Sequence, residues 1–477
     1  MRLYKNVRIF ILFIFSLFIS CNNNSESFDF LLVEEGSIVE DFGFSQGAAW
    51  ADYDNDGDED LFVTNSWTNG NNMFYENTGE GFFIKVENIA LTNDGGNSNG
   101  CTWGDVDNDG DVDLFVANVD NQNNFFYLNN NDKTFSKNVL GDAVNNEDWS
   151  YTCAFADYNN DGWLDLFVGN YKEQNNVLYL NDKSGGLIRN EETVISAANK
   201  STQGCAWFDF NNDGLIDLYV ANNGLNDLYK NIGSGKFEII ENIIPVTENG
   251  NSFGCSTADY NNDGLIDIFV ANWWGKNHLY KNLGKGQFEK IQKSPVTDES
   301  LNSEGSSWGD FDNDGDLDLI VTNDGDNSVF ENNNGNFLKL ENLSPASDSS
   351  NSNGVTWNDF DNDGYLDLFI ANGGNQPNLL YRNPGNKNNW LKVKCIGKES
   401  NHSAIGTRVT VVRNENRIMR EVASQTGGGY GGMNGLILHF GVGKEKPDSV
   451  IVNWPSGEKS KIINPKINKT HTIIEGN

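Results

Sequence analysis

Seven times along the chain, a short strand-like segment of small and apolar residues leads into an acidic stretch and then into a strongly apolar run. The first instance reads GAAWA, then DYDNDGDED at 52–60, then LFVTN. GCTWGD, GCAWFD and GVTWND repeat the first part, and LFVAN, LYVAN, IFVAN and LFIAN repeat the last. A third segment follows the pattern of NNMFYEN, NDLYKN or NHLYKN, and a fourth that of GKFEII, GQFEKI or GNFLKL. The acidic stretches start 49 to 53 residues apart. Four short antiparallel strands per repeat of that length predict a propeller blade, which buries both faces only inside a ring. The expected fold is therefore all-β, a seven-bladed β-propeller.

The pattern also predicts how the ring closes. The seventh unit reaches NLLYRN at 378–383 and runs into PGNKNNW without a fourth strand. FDFLLVEE at 28–35 has the apolar spacing of GFFIKVE at 81–87, so it is expected to complete the last blade and remove two open edges. Residues 28–384 make up the ring on this reading. In the first strand of each blade, Trp50, Trp103, Phe155, Trp207, Thr257, Trp308 and Trp357 precede the acidic loop by two residues. Ala48, Cys101, Cys153, Cys205, Cys255, Ser306 and Val355 come two residues earlier. Period two puts both sets on one face, with rings wedged between blades and small residues crowding the axis. Thr257 breaks the pattern.

Runs of like charge oppose folding and usually belong to solvated tails. Here they lie between strands, and each has an acid or amide at positions 1, 3, 5 and 9 with glycine at 6. Calcium takes roughly six to eight oxygens, and a tight loop turns alternate side chains and one carbonyl toward a common centre. Glycine permits the sharp turn. The predicted ligands are Asp52, Asp54, Asp56, Asp58 and Asp60 in blade one, and Asp105, Asp107, Asp109, Asp111 and Asp113 in blade two. Blade three offers Asp157, Asn159, Asp161, Trp163 and Asp165, and blade four Asp209, Asn211, Asp213, Leu215 and Asp217. Blade five offers Asp259, Asn261, Asp263, Leu265 and Asp267, and blade six Asp310, Asp312, Asp314, Asp316 and Asp318. Blade seven offers Asp359, Asp361, Asp363, Tyr365 and Asp367. The fourth residue of each set, at position 7, counts for its carbonyl. Up to seven Ca2+ are expected, with weaker sites where Asn159, Asn211 and Asn261 replace a carboxylate. Magnesium is the rival ion, but it demands stricter geometry. Zinc would need Cys or His.

The charge balance points the same way. The 477 residues carry a net −35. That excludes nucleic acid and a simple electrostatic hold on anionic lipid as partners. Losing residues 1–20, with Arg2, Lys5 and Arg8, takes the charge from −35 to −38, and seven divalent ions would return it to −24. The N-terminus, MRLYKNVRIFILFIFSLFISC, has a basic start and an apolar stretch from Ile9 to Ile19. It is too short for an ordinary spanning helix and reads as a signal peptide. It resembles a bacterial lipoprotein signal in which Cys21 is acylated and residues 21–27 form a tether, although Phe18 stands where that motif usually has Leu. An ordinary secretory signal is the alternative.

Taken together, the repeats resemble FG-GAP or VCBS repeats, the units of integrin α-chain propellers. The tail, with NNWLKVKCIG, SAIGTRVTVV, REVASQTGGGYGGMN, LILHFGVG and DSVIVNWPSG, resembles the ASPIC/UnbV domain of cartilage acidic protein relatives. The resemblance implies an extracytoplasmic, calcium-bearing, non-catalytic protein, and it leaves the ligand open. On its own terms, 385–477 alternates in TRVTVV and SVIVNW and predicts a small antiparallel β-domain. Arg408, Arg413, Arg417 and Arg420 suit either an anion contact or a charged strand face docked on the acidic ring. GGGYGG at 427–432 lacks the Lys-Ser/Thr ending of a phosphate loop.

Blade geometry puts the acidic loops on one rim and the second loops and blade connections on the other. Trp67, Tyr171, Trp273 and Trp274, with Trp149, Tyr151 and Phe253, are expected on the far rim as a candidate ligand surface. The alternative is that some of these rings plug the channel. By resemblance, integrins also bind ligands away from their calcium loops. The leading expectation is a membrane-anchored binding or adhesion protein at the bacterial outer membrane or cell surface. It would recognise a glycan or protein, as an accessory to an outer-membrane complex in one version. The alternative is a polysaccharide lyase or hydrolase. Against that stand only four histidines and no Ser-His-Asp or HExxH spacing. With Cys21 lipidated, Cys101, Cys153, Cys205, Cys255 and Cys395 remain, read as small buried residues, with pairing between adjacent blades the alternative.

Overall fold

The computed structural model describes residues 28–68, 70–197 and 199–476, so Cys21 and the signal-like segment lie outside the described residues. Blade one pairs Ser45–Ala51, Asp60–Asn65, Met73–Asn77 and Phe83–Lys85 antiparallel in chain order. Five further four-stranded units repeat the plan, their first strands being Ser98–Gly104, Ser150–Ala156, Thr202–Phe208, Asn249–Ala258 and Ser300–Gly309. The seventh supplies Ser350–Asn358, Asp367–Asn372 and Leu379–Arg382. Its fourth strand is Leu31–Leu32, antiparallel to Leu379–Arg382.

A recurring asparagine ties each blade to the one before it. At or near the end of every third strand stands an Asn whose backbone N–H donates to the position-nine aspartate of its own blade at 2.6–2.9 Å. The side-chain amides of Asn129, Asn181, Asn231, Asn282, Asn332 and Asn383 donate to a carbonyl in the preceding blade at 2.7–2.8 Å. The seventh such bond, Asn77 Nδ2 to the Phe360 carbonyl at 2.8 Å, joins the first blade to the last. These amides satisfy buried carbonyls that no ladder reaches, which explains why the residue recurs.

The core lies between blades. Trp103 packs edge-on against Phe62 of blade one, Trp207 against Phe167 of blade three and Trp308 against Phe269 of blade five. Trp50 meets Phe369 of blade seven in the same way. The smaller partners two residues earlier are buried as well, and all five described cysteines are free thiols.

The C-terminal domain has two sheets. One is ordered Leu438–Gly443, Asn389–Ile396, Thr470–Ile474, and the other Asn416–Glu421, Arg408–Arg413, Ser449–Asn453, Lys459–Ile463. One pair departs from the antiparallel expectation: Asn389–Ile396 and Thr470–Ile474 run parallel. Most of the domain lies between them in sequence, which provides the crossover that parallel pairing needs.

Candidate metal loops and the plugged channel

In each acidic loop the position-one aspartate holds the turn, and in blade two its carboxylate accepts from the N–H groups of Asp109 and Gly110 at 3.1 and 2.9 Å. Position 4 is asparagine throughout, with φ between 54° and 60°, and the glycine at 6 has φ between 84° and 109°. Both belong to the left-handed region that Asn and Gly tolerate best. The Asn at 4 also reaches the next loop: Asn55 donates to Asp111 Oδ1 at 2.7 Å, and Asn362 to Asp58 Oδ1 at 2.6 Å.

Carboxylate oxygens converge to within 4.8 Å of one another in four loops. The groups are Asp52, Asp54 and Asp56; Asp105, Asp107 and Asp113; Asp310, Asp312 and Asp318; and Asp359, Asp361 and Asp367. In the other three loops an asparagine stands at position 3. Burial pushes the position-nine carboxyls up, to about 9 for Asp60 and about 8 for Asp217, and well above the ordinary range in the other blades. Neighbouring carboxylates raise them further, while the Asn amide opposes the shift. Asp107 Oδ1, Asp165 Oδ2 and Asp310 Oδ1 are buried without a hydrogen-bond partner. In blades two and six, where they belong to the converging groups, such dry carboxylate oxygens fit a hard cation.

The C-terminal domain sits on this same rim and places a cation on five of the seven position-one acids. Lys392 Nζ lies 2.6 Å from Asp359, His402 Nδ1 2.8 Å from Asp105, and Lys394 3.3 Å from Asp52. Arg408 stands 3.7 Å from Asp209 and Arg420 4.0 Å from Asp310. The hydrogen bond from Asp105, the largest influence, raises His402 and favours its charged form. Arg413 reaches toward the Asp314 carbonyl. Three of the four arginines thus dock on the ring.

The FG-GAP-like repeat model matches residues 52–116, 105–168, 157–220, 209–270, 259–321 and 310–370, two thirds of the chain. The chain belongs to the FG-GAP-like repeat family. The ASPIC and UnbV model matches residues 397–477. Among curated proteins none matches. Among solved structures, an Agrocybe aegerita lectin described as recognising non-reducing terminal N-acetylglucosamine is similar at 15% identity and TM-score 0.47, over 75% of this chain and 94% of that one. BBS1N in complex with ARL6DN, soaked with lead, is similar at 14% identity and TM-score 0.49, over 74% of this chain and 97% of that one.

The ASPIC/UnbV domain does more than cover the FG-GAP rim: its segment 424–434 enters the channel and touches all seven blades. Met433 N–H donates to the Ala48 carbonyl at 3.0 Å, and Thr102 Oγ1 to the Ser424 carbonyl at 3.0 Å. Ser424 Oγ donates to the Phe155 carbonyl at 2.6 Å, and the Gln425 amide faces the carbonyls of Cys153 and Cys205. Gly427–Gly428 pairs as a strand with Ser306 and Ser307. The Trp357 N–H donates to Asn434 Oδ1 at 2.9 Å. The approach is closest at blades one and five, where a Cβ on Gly47 would stand 2.2 Å from the Tyr430 carbonyl oxygen and one on Gly254 2.3 Å from the Gly429 nitrogen. The glycines read as an unlikely phosphate loop are a plug, and their lack of side chains is what lets it fit.

At the tip, Tyr430 emerges among the far-rim aromatics. Its ring lies 5.3 Å from that of Tyr151 and 6.2 Å from that of Phe253. Tyr171 stacks on Tyr151, Trp273 on Phe253, and Trp274 follows Trp273 at 6.1 Å. The rim residues therefore divide. Trp149 and Tyr151 are buried against the plug, Tyr171, Phe253 and Trp273 are half-buried, and Trp274 and Trp67 are 78% and 53% exposed. Trp67 is not in ring contact with the rest. Sequence reasoning missed Tyr430, because nothing in GGGYGG says which end of the ring it reaches.

Glu304, 4% exposed beside the tip, is pushed from an ordinary 4.5 up to about 8 by burial, against the opposing pull of a Tyr430 hydrogen bond. The neutral form is favoured on folding, so its contribution is whole below about 4.5 and lost as pH rises through about 8. Glu304→Gln is expected to melt increasingly above the parent as pH climbs from 5 to 9. Parallel melting curves across that range would count against this assignment.

Proposed function

We propose that this protein is a non-catalytic binding or adhesion scaffold, stabilised by calcium and held at the outer membrane or cell surface by a lipid on Cys21. It would engage a glycan or protein through the rim opposite the acidic loops. The observation that carries the reading is the continuous aromatic run Tyr171, Tyr151, Tyr430, Phe253, Trp273 and Trp274, which ends in a nearly bare indole. Rigid rings flanked by amides suit stacking on sugars or apolar peptide groups, and one exposed face gives a ligand somewhere to sit. Glu304, Tyr151 and Tyr430, which lie beneath this surface, are buried around the plug, which favours binding over catalysis. Calcium would be held by the position 1, 3, 5 and 9 side chains and would offset their repulsion.

The test is affinity capture from cell envelopes in calcium with a parallel glycan screen, repeated with Trp273→Ala/Trp274→Ala. The double variant is expected to lose at least about tenfold in affinity for the ligand found, given the weight buried aromatics carry in interfaces. Undiminished binding would place the ligand on another face.

A further inference from the structure

Six blades carry an aromatic ring two residues before the acidic loop, and blade five carries Thr257. A cavity of about 130 Å3 lies beside Thr257, under the ASPIC/UnbV domain. Trp308 and Trp357 wall it from the ring, and Met419, Arg420 and His439 from the domain above. Domain junctions of this kind are common places for ligand sites.

The polar groups around it are unusual for this ring. Trp50, Trp103, Trp207 and Trp357 each donate the indole N–H into a neighbouring first strand, at 2.9 to 3.4 Å. Trp308, whose neighbour is the blade of Thr257, is 6% exposed and its Nε1 has no partner. Arg420 Nε and His439 Nδ1, also around the cavity, are buried and unpartnered too. His439 Nε2 faces the Gly364 carbonyl at 3.1 Å. A carbonyl only accepts, so Nε2 carries the proton and Nδ1 presents a lone pair. Burial keeps this imidazole neutral, down at about 3. Asp310, whose Oδ1 is also unpartnered, belongs to the metal loop of blade six.

Two donors and one acceptor therefore line one largely apolar cavity without partners. A hydroxyl accepts twice and donates once, which complements that set. The volume is close to that of cavities of roughly 150 Å3 that take benzene. Arg420 already has Asp310 4.0 Å away, so the site calls for no ligand charge. We propose that this cavity binds a neutral, single-ring molecule bearing a hydroxyl group.

Phenol is the probe, titrated against the full mature protein in calcium by saturation-transfer NMR, with toluene as the ring that lacks the hydroxyl. Phenol is expected to bind saturably and about five- to tenfold more tightly than toluene. Thr257→Phe, which installs the ring that Phe155 supplies in blade three, is expected to abolish binding of both. Trp308→Phe keeps a ring but removes the N–H, and is expected to bring phenol down toward toluene while leaving toluene unchanged. It decides the matter should Thr257→Phe fail to fold. The proposal is overturned if phenol shows no saturable binding, as for a cavity holding only water. Equal binding of phenol and toluene, or undiminished binding by Thr257→Phe, overturns it as well.

Discussion

A strong chelator at low salt is expected to lower the melting temperature of this protein far more than any single surface substitution would. The physical reason is the density of buried carboxylates. Burial pushes the position-nine acids up, to about 9 for Asp60 and about 8 for Asp217 and well above the ordinary range for Asp113, and like charges surround them. A site held at a hundred times its Kd adds about 2.7 kcal/mol, and several sites acting on one ring sum. Scanning calorimetry in calcium, in magnesium and in chelator checks this, with magnesium expected to rescue poorly. Hydrogen exchange should show where opening starts. The loops of blades three and five have an asparagine at position 3, and among the described residues no ion pair from the C-terminal domain reaches Asp157 or Asp259. Their amides are expected to lose protection first. A melting temperature indifferent to chelation would remove calcium from the account.

The second large effect is expected at Gly429→Val. Gly429 has φ of 80°, and a Cβ there would stand 2.5 Å from the Glu304 carbonyl oxygen. Backbone strain and overpacking together cost about 3–5 kcal/mol, more than the plug's contacts at that point can absorb. The plug is expected to leave the channel, exposing 424–434 to protease and separating domain melting from ring melting. Gly457→Val is the control, since Gly457 has φ of 90° but nothing within 4 Å of a Cβ. It is expected to cost about 1–3 kcal/mol and to leave the plug protected. A Gly429 variant as resistant to protease as the parent would show that the channel has room to spare.

The repeats made the fold legible from sequence. Position-specific Asp and Gly, the Trp-or-Phe register and the apolar second strands each recur, and a pattern repeated in register is hard to mistake. The asparagines at loop position 4 and at or near the end of each third strand recur as faithfully. Their role stayed hidden, because it lies in bonds to neighbouring blades rather than in local spacing. The plug was illegible for a different reason. GGGYGG has the composition of any mobile turn, and its function exists only once Gly254 and Gly305 bring seven inner strands close enough to grip it. Likewise Arg408 and Arg420 look like surface charges until the domain is laid on the acidic rim. Composition records which residues are present, and the meeting of distant segments is what gives these ones a task.

The pairing of Leu31–Leu32 with Leu379–Arg382 has a consequence for biogenesis. The segment made first waits for one made some 350 residues later, and the plug, later still in the chain, has to thread a circle that is by then nearly shut. Contacts this remote along the polymer make for slow maturation. The chain therefore emerges as an open crescent, and its last fifth both completes and locks it.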